Sequence, residues 1–377
     1  MTKLAETITE RRRQTRNSIY QYMFFSDTPH SKQEIASDLS LSMPTVHQNL
    51  TELIEAGLVR RDGTQQSTGG RRAMRLTIAE NAHFAIGISV TETGLRFLAA
   101  NLRMQEIAYK RTQGLPINEI DDLGRLLADE LEKFLDEFGL NRNKLLGVGI
   151  AIPAVINVER NEIALAPTLH LKDISLDKIT KYLPYSYYIS NDATSGGYAE
   201  WFTQTAQSCM AYLFLEIGVG GAVLLNGAPY EGQNRRSGEF GHMCVEPNGL
   251  PCKCGKRGCL EAYCSTARIS DNLGITLEDF FEGLELQNPV YGALWQDVLQ
   301  HLAIGINNIR MALDCDVVLG GYLTQFIEPY LPEIRRLAAA LNTFENKADY
   351  IRLCRYPMRA SMLGVALHFI REFMENI

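Results

Sequence analysis

One histidine and three cysteines crowd into a short stretch of this chain: His242, then nine intervening residues, then Cys252, Cys254 and Cys259 within CKCGKRGC. Thiolates and imidazole in that number close a tetrahedral shell around Zn²⁺, and any chain that does so must fold back on itself there. Four protein ligands leave no open coordination position, so the expected ion is structural, one per chain. Gly255 and Gly258 give the loop the turns it needs. Cys244 and Cys264 lie near by and read as core or spare residues. The start, MTKLAETITERRRQTR, holds no apolar stretch of signal-peptide kind. No apolar run reaches the roughly 20 residues that span a bilayer. The expected compartment is therefore the cytoplasm, with no membrane insertion, where clustered cysteines hold metal rather than form disulfides.

A chain of 377 residues exceeds one ordinary core, so a boundary must lie within it. Charge locates one. Residues 1–75 carry 11 Lys/Arg against 8 Asp/Glu, although the whole chain has a net charge of −7. A small basic head on an acidic body fits a DNA-reading module joined to a small-molecule domain. The expected units are 1–78 and 79–377.

Within the head, from Thr15 onward, Ile19, Tyr20, Met23 and Phe24 fall at helical spacing as a first helix, until Ser26-Asp27-Thr28-Pro29 stops it. Ser31 and Glu34 form a capping box for a second helix, SKQEIASDL. Ser42 caps a third over about 43–56, with Pro44 in its first turn and Gly57 at its end. Val46, Leu50, Leu53 and Ile54 make one apolar stripe, turning Thr45, Gln48 and Glu52 outward. The stripe alone fits any three-helix bundle. A following hairpin pattern from Leu58 to Thr77 adds a wing whose tip, Gly69-Gly70-Arg71-Arg72, carries two guanidiniums toward phosphates or a narrow minor groove. The candidate DNA contacts are Ser42, Thr45, Gln48, Asn49, Gly69, Gly70, Arg71 and Arg72. Side-chain amides near the start of such a helix suit adenine edges in the major groove. From Phe84 onward, strand and helix patterns alternate to the end, which is α/β. The terminal ALHFIREFMENI has an amphipathic helical pattern of the kind that packs on a core.

SKQEIASDLSLSMPTVHQNLTELIEAGLVRRDG with STGGRR resembles the winged helix-turn-helix head of the ROK family (repressors, unknown reading frames and sugar kinases), and GEFGHMCVEPNGLPCKCGKRGCLEAY resembles that family's metal-loop motif. The resemblance implies an actin-like, ribonuclease-H-like two-lobed sugar-kinase fold behind the head. It also implies that Glu239 and Glu261 accept hydrogen bonds from sugar hydroxyls, and that the second ring nitrogen of His242 faces the sugar. In Ser190-Asn191-Asp192-Ala193 it places a sugar-holding amide at Asn191 and the kinases' general base at Asp192, here vestigial. Taken alone, Asn-Asp is an ordinary turn or helix cap.

The kinase pattern breaks where ATP phosphates would bind. Ser89-Val90-Thr91-Glu92-Thr93 stands in place of the family's DxGGT turn, and Glu92 would repel phosphate. Around Gly218–Ala222 the second phosphate loop lacks its leading Gly-Thr pair, whereas Gly320-Gly321 keeps the adenosine-side turn. Thr168 replaces a common Asn beside the sugar. Without a positioned phosphate donor no phosphoryl transfer occurs, so ATP is not expected to bind and no enzyme activity is expected. The implied function is a homodimeric, or dimer-of-dimers, repressor that binds operator DNA and senses a sugar or sugar phosphate. The alternatives are an ATP-dependent sugar kinase with a DNA-binding head, and a repressor signalled by a transporter protein.

Overall fold

The computed structural model describes residues 8–64, 74–92, 94–112, 120–157, 159–203 and 208–377. Three helices open the chain: α1 (Ile8–Phe24), α2 (Lys32–Asp38) and α3 (Met43–Glu55). The Ser31–Glu34 capping box and the Ser42 cap are both formed, and the second and third helices lie where their caps predict. The first begins well before Thr15. Strands β1 (Val59–Thr64) and β2 (Met74–Ile78) pair antiparallel as the base of the wing, while residues 69–72, the expected tip, lie outside the described residues.

The body begins with β3 (Phe84–Thr91), β4 (Gly94–Asn101) and β5 (Glu106–Arg111), then α4 (Ile120–Glu137) and β6 (Leu145–Ile152). A small sheet of β7 (Val155–Asn157), β8 (Glu162–Ala166) and β9 (Leu171–Ser175) follows, then α5 (Asp177–Thr180), β10 (Tyr187–Asn191) and α6 (Asp192–Phe202). The first large sheet has the order β10-β6-β3-β4-β5. The second lobe contains β11 (Cys209–Leu215), β12 (Val219–Leu225), β13 (Ala228–Pro229), α7 (Leu260–Cys264), α8 (Thr266–Ile269), α9 (Leu277–Glu285), α10 (Pro289–Leu313), β14 (Asp316–Gly320), α11 (Thr324–Ile327), α12 (Leu331–Leu341) and β15 (Ile351–Leu353). Its sheet runs β13-β12-β11-β14-β15. Two five-stranded mixed sheets, each opening on antiparallel strands and continuing in parallel, give the expected two-lobed α/β body.

The last helix, α13 (Ala360–Glu375), returns to the first sheet and packs on β3, β6 and α6. Glycine makes that approach close: a Cβ on Gly87 would lie 1.9 Å from the Met362 carbonyl oxygen, and one on Gly364 would lie 1.8 Å from that of Ser195. The amphipathic end segment is thus a core helix. Its apolar side joins a single cluster that also holds Ile19, Tyr20 and Leu50 of the head and Ala85 and Leu98 of the first sheet. Head and body therefore share one apolar core.

Candidate functional site

Strand β10 delivers Asn191 to the start of α6, where its side chain becomes the N-cap. Asn191 Oδ1 accepts the Thr194 N–H at 2.9 Å and Nδ2 donates to the Ala154 carbonyl at 3.2 Å. Asp192 follows in the first turn, its Oδ1 accepting the Ala193 N–H. Burial, with the charge of Glu239 adding to it, pushes the Asp192 carboxyl up to about 6. Glu239 stands before the short turn Phe240–His242, and burial raises its carboxyl as well, with His242 opposing and Glu261 reinforcing the shift. Asn191 and Glu239 line one cleft together with Ser190, Tyr230, Glu231 and Arg235.

The metal-loop side holds the remaining candidates. Glu261, in the first turn of α7, accepts the Val219 N–H through Oε2 at 3.0 Å. Its Oε1 lies 3.7 Å from Cys252 Sγ. One carboxylate thus fastens the start of β12 to the cysteine loop. His242 turns Nδ1 toward the cysteines, 3.9 Å from Cys252 Sγ, which leaves Nε2 for another partner. The ligand atoms of His242, Cys252, Cys254 and Cys259 all lie within 4.8 Å of one another, and Cys254 Sγ is 3.7 Å from Cys259 Sγ. Sulfurs bound at about 2.3 Å to a tetrahedral zinc stand roughly 3.8 Å apart, so the spacing fits a metal ion.

On the expected nucleotide side, Ser89 pairs across the hairpin with Arg96, Glu92 sits in the turn, and Thr93 lies outside the described residues. The residue that sequence reasoning missed is Glu216. It falls where the glycine-threonine pair is lost, between β11 and β12, and its Oε1 accepts the N–H of Tyr322 at 2.9 Å, just past Gly320-Gly321. Burial, reinforced by Asp192 and opposed by Arg96, pushes this carboxyl up to about 7. A carboxylate thus occupies a backbone donor beside the family's adenosine-side turn. The signal was present in the sequence as an acid replacing Gly-Thr, but only the fold brings it to that turn.

In the head, Ser42 caps α3 and also bonds the Thr45 hydroxyl at 2.7 Å. Asn49 corrects the expected list of DNA contacts: it is 2% exposed and donates through Nδ2 to the Thr45 carbonyl, so it faces the head's core. The asparagine took its place among the buried stripe because it sits three residues after Val46. Gln48 is exposed, as is His47, which the sequence reading passed over. Glu52 is turned to Arg12 and Arg16 of α1.

Three N-terminal helices, two mixed sheets and a cysteine loop beside an interlobe cleft define a two-lobed, sugar-kinase-like class of protein. Residues 86–372 match the ROK family, and the chain belongs to it. It is 28% identical over 293 residues to the xylose repressor of Bacillus spizizenii, covering 75% of each chain. It is 26% identical over 348 residues to the DNA-binding transcriptional dual regulator NagC of Escherichia coli, covering 86% of this chain and 85% of that one. Among solved structures, a ROK family transcriptional regulator described as a homologue of the E. coli MLC protein superposes with a TM-score of 0.74 at 20% identity, covering 97% of both chains. A ROK hexokinase from Thermus thermophilus superposes with a TM-score of 0.62 at 23% identity, covering 77% of this chain and 99% of that one. The fold is thus that of the regulators over the full chain and that of the kinases over the body. Among the described residues no helix is long and apolar enough to cross a membrane.

Proposed function

We propose that this protein is a sugar-responsive transcription repressor: α3 and the wing bind operator DNA, a sugar or sugar phosphate binds between the lobes, and the effector weakens operator binding. The observation that carries this reading is the pairing of a three-helix head with a cleft lined by Asn191 and Glu239, Asp192 following Asn191 in the first turn of α6, while Glu216 takes the donor beside the adenosine-side turn. The names of the relatives, a xylose repressor and a DNA-binding transcriptional dual regulator, support it. Only the first of those names states a sugar, so the chemistry of the cleft, hydroxyl acceptors around a polar ring, is the level at which the effector is assigned.

Zinc is the ion the loop suits, because three sulfurs and one imidazole nitrogen match its ligand preference. His242, Cys252, Cys254 and Cys259 would hold it. A ligand histidine whose second nitrogen meets another partner is thereby fixed in ring orientation and tautomer. In that arrangement the ion shapes the sugar pocket and takes no part in a reaction. The protein is no kinase on this reading, since Glu92 in the phosphate turn repels the donor and Glu216 takes the Tyr322 N–H beside the adenosine-side turn. Two heads of a symmetric homodimer would meet a pseudo-palindromic operator with half-sites set by whole helical turns.

The test is selection of duplexes from a randomised library by the full-length protein, followed by binding titrations with a panel of sugars, sugar phosphates and Mg-ATP. The expected result is one enriched palindromic sequence and release by a sugar, with no ADP formed. Enrichment of no sequence, or sugar-dependent ADP release, would overturn the reading.

A further inference from the structure

Helix α3 presents Pro44, His47, Gln48 and Thr51 on the side opposite its buried residues. Of these, Pro44 has no donor to offer. Thr51 spends its hydroxyl on the His47 carbonyl at 2.9 Å. That leaves His47 and Gln48 as the outward-facing polar side chains near the start of the helix. His47 is held: Lys32, the first residue of α2, brings Nζ to 2.6 Å from His47 Nδ1. A lysine ammonium has donors and no acceptor, so Nδ1 must accept and the ring proton must sit on Nε2. The imidazole is thereby fixed in one tautomer with a single outward N–H.

We infer that His47, oriented by Lys32, is a base-reading residue that selects guanine at one position of each operator half-site. The inference rests on the repressor reading above. An outward N–H donor needs an acceptor on the major-groove edge. Guanine offers two adjacent acceptors, N7 and O6, with neither an amino group nor a methyl beside them. Cytosine presents an amino donor that would meet the N–H head-on, and adenine and thymine each present one acceptor flanked by an amino or a methyl group. Gln48, the neighbouring residue, carries the amide suited to adenine, so the two side chains divide the reading between them. Lys32 is a positioning residue: it fixes which nitrogen of His47 donates.

The experiment is selection from randomised duplexes with the full-length wild type, His47→Ala, Lys32→Ala and Lys32→Arg, followed by affinities on the enriched duplex and on one carrying 7-deazaguanine at the selected guanine. The wild type is expected to favour guanine there by about 5- to 20-fold over the other bases. His47→Ala, an exposed change, is expected to bind the same sequence with that one preference erased and to be indifferent to 7-deazaguanine. Lys32→Ala should blur the same position while leaving the other positions intact, with recovery in Lys32→Arg; a uniform loss across all positions would make Lys32 a phosphate contact and overturn its positioning role. If His47→Ala enriches the wild-type sequence with undiminished preference at every position, the inference falls while the repressor reading stands. If the wild type enriches nothing, both fall.

Discussion

Glu216 sets two forces against each other. Its hydrogen bond from Tyr322 and the nearby Arg96 favour the charged form, yet burial wins and the carboxyl is pushed up to about 7. A carboxyl whose folded value lies above its unfolded one keeps its proton in the native state while the unfolded chain has lost it, so stability falls as pH rises from about 4.5 to about 7. Glu216→Gln keeps an oxygen for the Tyr322 N–H and removes that slope. The variant should gain about 3 kcal/mol over wild type at pH 8 and little at pH 4.5, read by denaturant unfolding at the two pH values. Equal stability changes at both would sink the argument. The cysteine loop supports a second prediction. Cys259 is buried with its sulfur 3.7 Å from that of Cys254. On the zinc reading, Cys259→Ser should abolish metal binding by the loop and cost more than about 3 kcal/mol, because a loop organised by an ion loses its centre with it. Metal analysis beside thermal unfolding checks both halves. A full zinc complement in the variant would remove Cys259 from the shell.

Elements divide according to whether local rules decide them. The starts of helices α2 and α3 were legible because caps are short-range: Ser31, Glu34 and Ser42 make in the fold the bonds their spacing announces. The clustering of His242 with Cys252, Cys254 and Cys259 was legible for the same reason, the four candidate ligands lying within eighteen residues. Asn49 was not, since only packing decides whether a polar residue on a helix faces the core, and here Nδ2 bonds the Thr45 carbonyl while the buried Oδ1 has no partner among the described residues. Glu216 and the Lys32–His47 pair were hidden because their partners lie 106 and 15 residues away. The first 15 residues give no apolar stripe, so the early start of α1 had no periodic signal. Packing of α3 yields its own prediction. Leu50 is fully buried in the cluster shared by head and body, so Leu50→Ala should cost about 2–5 kcal/mol and shift a single cooperative unfolding transition. A separate early transition, with the head lost while the body holds, would show that the shared cluster does not couple them.

At the scale of the whole molecule, the cleft and α3 are joined by a short run of contacts. Asn191 and Asp192 begin α6, α6 packs along α13, and Arg371 of α13 donates to the Tyr198 hydroxyl of α6 at 2.6 Å. At the far end of α13, Arg16 of α1 donates to the Ile377 main-chain oxygen at 3.0 Å and 2.7 Å, and Asn17 donates to that of Glu375 at 2.5 Å. The same Arg16 reaches Glu52 on α3 at 3.1 Å. A second fastening holds the C-terminal end of α1: Arg103, from the turn after β4, donates to the carbonyls of Met23, Phe24 and Ser26. With α1 pinned by the body at its C-terminal end and an arginine at its midpoint shared between the end of the chain after α13 and α3, these contacts offer a route by which a shift of α6 would reach α3. On the repressor reading, the effector's leverage on DNA is a coupling free energy of about 1–3 kcal/mol, or 5- to 150-fold, and linkage requires DNA to weaken the sugar by the same factor. Arg16→Ala removes the shared side chain without touching the cleft. It should leave sugar affinity in the absence of DNA unchanged and cut the coupling, as a free energy, by at least half. Both directions must shrink together: sugar titrations with and without operator duplex, and operator titrations with and without sugar, should close on the same reduced factor. A variant that binds DNA more weakly by one constant ratio with and without sugar would show Arg16 to be a support for the head alone, and the coupling would then have to run through Arg103 and the shared core.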